Sequence, residues 1–297
     1  MTAVEAYDDC RRRYMEASWR KFEGEDSYKS YKDWLGKVPV FQEEFATHVK
    51  KLLRMQNSNN PDALFALGDA FAGGYGIERD PDLSIRYYCD AANAGHVKAM
   101  VRFGRLLLRE ECSETKLLAI SWFKKAADGG YSGGMVALGF VYRDAQGVPF
   151  NPIKAAEWFA KAVEAGDESA KIILAKVYYF SMGDTDKALP LLLDEASRGN
   201  SDSFKILGRI YGDTRTRFYD FEKAVYWYEQ VMNGKHQGPA NGARIALAEL
   251  HLEGKQQPKN IVKAREYLDA VLSNAPEKHT LRKEALKLLG KIDKGKV

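Results

Sequence analysis

WFKKAADGGYSGGMVALGFVY, residues Trp122–Tyr142, sets two glycine pairs between two apolar stretches, and its reading decides the fold. A glycine-rich turn that opens a helix is a common phosphate cradle. A second cluster, AGGYGIERD (Ala72–Asp80), raises the same question. A P-loop, however, needs a strand before GxxxxGK[ST] and a lysine that reaches the phosphates. Here Gly134 is followed by Met135-Val136-Ala137, and no strand pattern precedes it.

The glycines instead belong to a repeat. AANAGHVKAM (Ala91–Met100), AADGGYSGGM (Ala126–Met135), AVEAGDESAK (Ala162–Lys171) and EASRGNSDSF (Glu195–Phe204) share a glycine at the fifth place: Gly95, Gly130, Gly166 and Gly199, at intervals of 35, 36 and 33 residues. A second marker keeps step, a large apolar residue followed by a small one: Leu67-Gly68, Phe103-Gly104, Leu138-Gly139, Leu174-Ala175, Leu207-Gly208, Leu247-Ala248 and Leu289-Gly290. Self-similarity at this period marks a stack of small helical units.

Each unit reads as two helices. Ala63, Leu67 and Phe71 recur at i, i+4 and i+8, and Ala170, Leu174 and Tyr178 repeat that stripe. In the second helix Ala119, Trp122/Phe123 and Ala126/Ala127 return as Ala155, Trp158/Phe159 and Ala162. Neither stripe can be buried alone, so neighbouring units must stack. Gly68, Gly104, Gly139 and Gly208 fall inside helices, where glycine costs about 1 kcal/mol relative to alanine, so close approach of a neighbour is expected there. Gly95, Gly130, Gly166 and Gly199 follow the second helix and read as C-terminal caps. Asp80-Pro81 and Asn151-Pro152 read as helix starts.

The order of these residues resembles the Sel1-like repeat, a relative of the tetratricopeptide repeat with a somewhat longer unit. The matching positions are Leu138, Gly139, Tyr142, Gly147-Val148, Lys154-Ala155, Trp158-Phe159, Lys161-Ala162 and Gly166, and the likeness spans roughly residues 62 to 274. It implies an all-α, right-handed α-solenoid of about six helix-turn-helix repeats with helical caps. It also implies a concave face that holds protein partners, without catalysis. The expected organisation is an N-terminal helical capping or docking segment over 1–60, broken at Gly24, Gly36 and Pro39, the repeats over 61–275, and a closing helix with a basic tail over 276–297.

Composition narrows the function classes. The net charge of +4 comes from scattered, nearly balanced charges, which argues against a nucleic-acid partner. No run of about 18 apolar residues occurs, so no membrane span is expected. The N-terminus places acidic residues before its arginines and lacks an apolar core, so the chain is expected to be cytoplasmic. Cys10, Cys89 and Cys112 are too few and too irregular for a disulfide framework. His48, His96, His236, His251 and His279 fall in different units without metal-site spacing, so no metal, cofactor or catalytic residue is expected. His251 stands where other repeats have Phe71, Tyr142, Tyr178 or Tyr211, which marks it as a packing residue.

Directly after the small residue of each first helix the chain varies: Asp69, Arg105, Phe140, Lys176, Arg209 and Glu249, with Arg102 one turn before Arg105. In the geometry that the resemblance implies, first helices line the concave side. Asp69, Arg102, Arg105, Phe140, Lys176 and Arg209 are then the candidate partner-binding residues, and the four cations suit an acidic peptide or helix. Three readings follow: a non-catalytic adaptor or scaffold, a dedicated inhibitor such as an immunity protein that neutralises a toxin, and a hydrolase whose site assembles in space.

Overall fold

The computed structural model of the chain describes residues 2–19, 27–56, 59–234, 237–276 and 279–296, and every regular element among them is a helix. The chain divides into two compact units, Met1–Ala170 and Lys171–Val297. The first holds α1 (Ala3–Trp19), α2 (Ser27–Met55), α3 (Pro61–Gly73), α4 (Pro81–Asn93), α5 (Val97–Leu107), α6 (Ser113–Asp128), α7 (Ser132–Arg143) and α8 (Pro152–Glu164). The second follows with α9 (Ser169–Lys176), which begins at the unit boundary and runs into a π-helical turn (Val177–Ser181), then α10 (Thr185–Ser197), α11 (Ser201–Gly212), α12 (Phe221–Met232), α13 (Gln237–Glu253), α14 (Ile261–Asn274) and α15 (Thr280–Asp293).

Gly68, Gly104, Gly139 and Gly208 share one cause. Each lies under an aromatic ring from the second helix of its own repeat. A Cβ on Gly68 would stand 2.6 Å from Cδ1 of Tyr88, on Gly104 2.5 Å from Cε1 of Phe123, on Gly139 2.7 Å from Cε1 of Phe159, and on Gly208 2.8 Å from Cδ1 of Tyr228. Where leucine replaces the ring, alanine replaces the glycine: Ala175 and Leu192 share one buried cluster, Ala248 and Leu268 another. The two residues of each pair fill one volume between them, as close packing requires. Gly290 stands apart, with no atom within 4 Å of an added Cβ.

The glycines after the second helices serve the backbone. Gly130 has φ 76° and Gly166 φ 88°, in the left-handed region that L side chains avoid, and Gly95 and Gly199 match them. No atom lies within 4 Å of an added Cβ at any of the four, so conformation alone selects glycine there. Second helices open on Asx caps, except α6, where Cys112 makes no side-chain cap bond. The carboxylate or amide oxygen of Asn151, Asp184, Asp220 and Asn260 accepts from the backbone N–H of Lys154, Lys187, Lys223 and Lys263, at 2.9 to 3.0 Å. The ammonium groups of Lys154, Lys187 and Lys223 then sit 5.3, 5.6 and 5.2 Å from the ring centres of Tyr142, Tyr178 and Tyr211. In the last of these repeats His251 takes the aromatic place. It is buried, edge-on to Phe221 and stacked with Tyr267, as the packing reading expects. Burial, with Lys263 nearby, holds its pKa below the ordinary value.

One sequence expectation is corrected. α2 runs unbroken through Gly36 and Pro39, while Gly24 lies outside the described residues. Phe41, Phe45, Val49 and Leu52 fall on one helical stripe and pack with Tyr7, Leu67 and Phe71. That stripe anchors the part of α2 that follows the proline. Gln42 on the same helix accepts the N–H of Gly76 at 2.6 Å, and a Cβ on Gly76 would overlap the backbone of Phe45 and Ala46. This accounts for the last glycine of AGGYGIERD.

Candidate functional site

First helices do line a groove in the first unit. A concavity of about 630 Å³ is bounded by α1, α3, α5 and the start of α7, with Val4, Asp8 and Arg11 on one wall and Lys98, Arg102 and Arg105 on the other. Phe65, Ala66, Val101 and Tyr131 provide its apolar surface. A second concavity of about 370 Å³ continues from Arg105 to Phe140, between α5 and α7.

The groove has an ordered polar edge. His96 caps α5, its Nδ1 accepting the N–H of Ala99 at 3.0 Å, and its Nε2 lies 3.4 Å from Asp62. Its ring stacks on Phe65 with centroids 4.3 Å apart. Burial holds the imidazole pKa below its ordinary value, against the pull of Asp62. This suits the cap, because a protonated Nδ1 cannot accept a hydrogen bond.

The predicted site residues take different places. Asp69 is buried, ion-paired to Arg11 of α1, and accepts the Tyr88 hydroxyl at 2.5 Å. Burial and this carboxylate push the Tyr88 hydroxyl well above the usual tyrosine range. Asp69 therefore joins α1 to α3 and α4 and turns no carboxylate to the solvent. Arg102 and Arg105 are exposed on the groove wall. Phe140 is half-buried, edge-on to Phe159 at 5.2 Å, with the Arg143 guanidinium 4.6 Å from its ring centre. In the second unit Lys176 is paired with Asp202 of α11 at 2.7 Å. Arg209 is exposed and lines a hollow of about 360 Å³ that also holds Asp213, Arg215, Glu249 and Glu253. Thus Arg102 and Arg105 share one wall, while Lys176 and Arg209 sit among carboxylates.

Two groove cations were not anticipated. Lys98 lies four residues before Arg102 on the same helix face, a spacing visible in the sequence. Arg11 meets Asp69 across 58 residues, which no local pattern announces. No described helix is long and apolar enough to cross a membrane.

Known proteins place this architecture. The model of the Sel1 repeat matches residues 61–96, 116–131, 132–167, 207–230 and 242–270. A Sel1 repeat protein from Oxalobacter formigenes superposes with a TM-score of 0.57 at 21% identity, covering 82% of this chain and 98% of its own. The protective antigen c5321 of uropathogenic Escherichia coli, which displays an SLR fold, gives a TM-score of 0.56 at 19% identity, over 88% of this chain and 68% of its own. The unmatched stretches include α5 and the repeat built on Ala175 and Leu192, where the π-helical turn replaces the last turn of the first helix. Five matched repeats, all-helical units and the small residue packed against its second helix show that this chain carries Sel1 repeats.

Proposed function

We propose that this chain is a non-catalytic, cytoplasmic interaction module whose first-unit groove holds a segment of a protein partner. The observation that carries the reading is the groove itself. Residues of α1 and of successive first helices line one largely polar concavity with a smaller apolar part, and two exposed arginines on its wall have no ion pair among the described residues. Sel1 repeats support it, since their framework is taken up with packing and caps, leaving these positions free to vary with the partner. Phe140 extends the surface into the second concavity, and Arg209 offers a separate contact in the second unit.

A photocrosslinking residue placed at Arg105 in the native host tests the reading, with Lys124, exposed on α6, as the control position. One protein should be captured from Arg105 and not from Lys124. Equal capture at both, or none at Arg105, removes the groove from consideration. If the captured protein is an enzyme that loses its activity on binding, the module acts as an inhibitor rather than an adaptor.

A further inference from the structure

The two walls of the groove match in spacing. Lys98, Arg102 and Arg105 stand four and three residues apart on α5, and Val4, Asp8 and Arg11 repeat that spacing on α1. Each trio therefore shares one helix face. All three α5 cations are exposed, and none is in an ion pair among the described residues.

Asp69 and Arg105 occupy the same place in successive repeats, directly after Gly68 and Gly104. At Asp69 that place is filled by a side chain of opposite charge, Arg11, carried on a helix. At Arg105 no opposing charge stands among the described residues. Equivalent places in the repeat thus show one contact made and one without a partner among the described residues. The latter is cationic and lines the groove with Phe65, Val101 and Tyr131, so its complement is acidic with an apolar side.

Resting on the interaction reading above, we infer that the groove takes a short amphipathic helix of a protein partner, with carboxylates at i, i+4 and i+7 toward Lys98, Arg102 and Arg105. Its apolar side chains lie on Phe65 and Tyr131. A nucleic acid is the poorer complement, because Asp8 and Asp62 stand in the same groove and repel a phosphate chain. The same two acids orient the partner, since a reversed helix brings its carboxylates against them.

The test uses the full-length protein and synthetic helical peptides of about 15 residues, long enough to span four turns. One peptide carries Glu at the three positions beside a Leu face, a second carries Gln, a third carries Lys, and a single-stranded oligonucleotide is the fourth probe. Fluorescence anisotropy should show the Glu peptide binding at least about tenfold tighter than the Gln peptide. The double variant R102E/R105E, with unchanged helical circular dichroism, should lose that advantage and gain affinity for the Lys peptide. K176E, whose lysine already has an acidic partner in the second unit, should leave binding unchanged. Equal affinity for the Glu and Gln peptides, no binding of the Glu peptide at about 1 mM, failure of the charge swap, or preference for the oligonucleotide each overturns the inference. Crosslinked protein at Arg105 together with failure of the Glu peptide leaves the interaction module standing and removes the acidic helix. Failure of both removes both.

Discussion

Substituting Gly139 by alanine tests the packing rule of the repeats, because two effects of opposite sign act on it. Alanine in a helix interior gains about 1 kcal/mol over glycine from backbone propensity. Against this, the new methyl would lie 2.7 Å from Cε1, 2.7 Å from Cζ and 2.9 Å from Cδ1 of Phe159, where carbon pairs are content at about 3.5–4.0 Å. Phe159 is fully buried and edge-on to Phe140, so its ring has nowhere to retreat. Overpacking of this kind costs about 1–3 kcal/mol. Because three ring atoms are involved at once, the upper part of that range applies. The net expectation for G139A is a loss of about 1–2 kcal/mol, or a fall of about 2–4 °C in melting temperature per kcal/mol for a unit of this size. F159L alone should lose about 1–2 kcal/mol through the cavity it leaves. Together the two recreate the Ala–Leu arrangement of Ala175 and Leu192, so the double variant should be more stable than the sum of the single losses by about 1 kcal/mol. G290A supplies the contrast, since open space surrounds that position and only the propensity gain of up to about 1 kcal/mol remains. Urea unfolding of the four variants measures all of these terms. A G139A protein as stable as the parent, or additive losses in the double variant, would refute the account.

Three further outcomes follow from buried polar groups. The folded-state pKa of His251 lies below its unfolded value, so its stability contribution is complete above the unfolded pKa and is lost as pH falls toward the folded one. H251F should therefore gain on the parent in urea midpoint between about pH 7.5 and pH 5.5, and a constant difference across that window would refute it. R11A should cost about 2 kcal/mol, less than a fully buried pair because Arg11 is 29% exposed, by stranding the Asp69 carboxylate; hydrogen exchange should show α1 losing protection first. Under native conditions a thiol reagent should modify exposed Cys112 quickly and leave Cys10 untouched until unfolding, since Cys10 is buried and its thiol is pushed up to about 11. Peptide mapping of the labelled cysteines gives the order.

The parts of this protein legible in its sequence are those set within a repeat. Gly139 and Phe159 lie 20 residues apart, and their pairing recurs as Gly68 with Tyr88 and Gly208 with Tyr228. Asn151 and Lys154 are near neighbours whose cap recurs in the same way at Asp184 and Lys187. Repetition turns each such contact into a visible pattern, because every unit must solve the same packing and backbone problem. α2 escaped that logic: Gly36 and Pro39 suggest an end, yet the helix runs through both, and the fit of Phe45 and Leu52 against α1 and α3 that anchors its second half is long-range.

The sequence by itself determined the period, the two-helix unit, the places that must be glycine and the set of variable positions behind them. Only the tertiary structure decided which of those positions are open to a partner. Asp69 and Arg105 are equivalent in the repeat, yet Arg11 buries one and leaves the other exposed. Lys176 has the charge expected of a groove cation, yet Asp202 holds it. The physical reason is that a charge's availability depends on what stands opposite it. At Asp69 and Lys176 the opposing group comes from 58 and 26 residues away, separations at which repeat spacing carries no information.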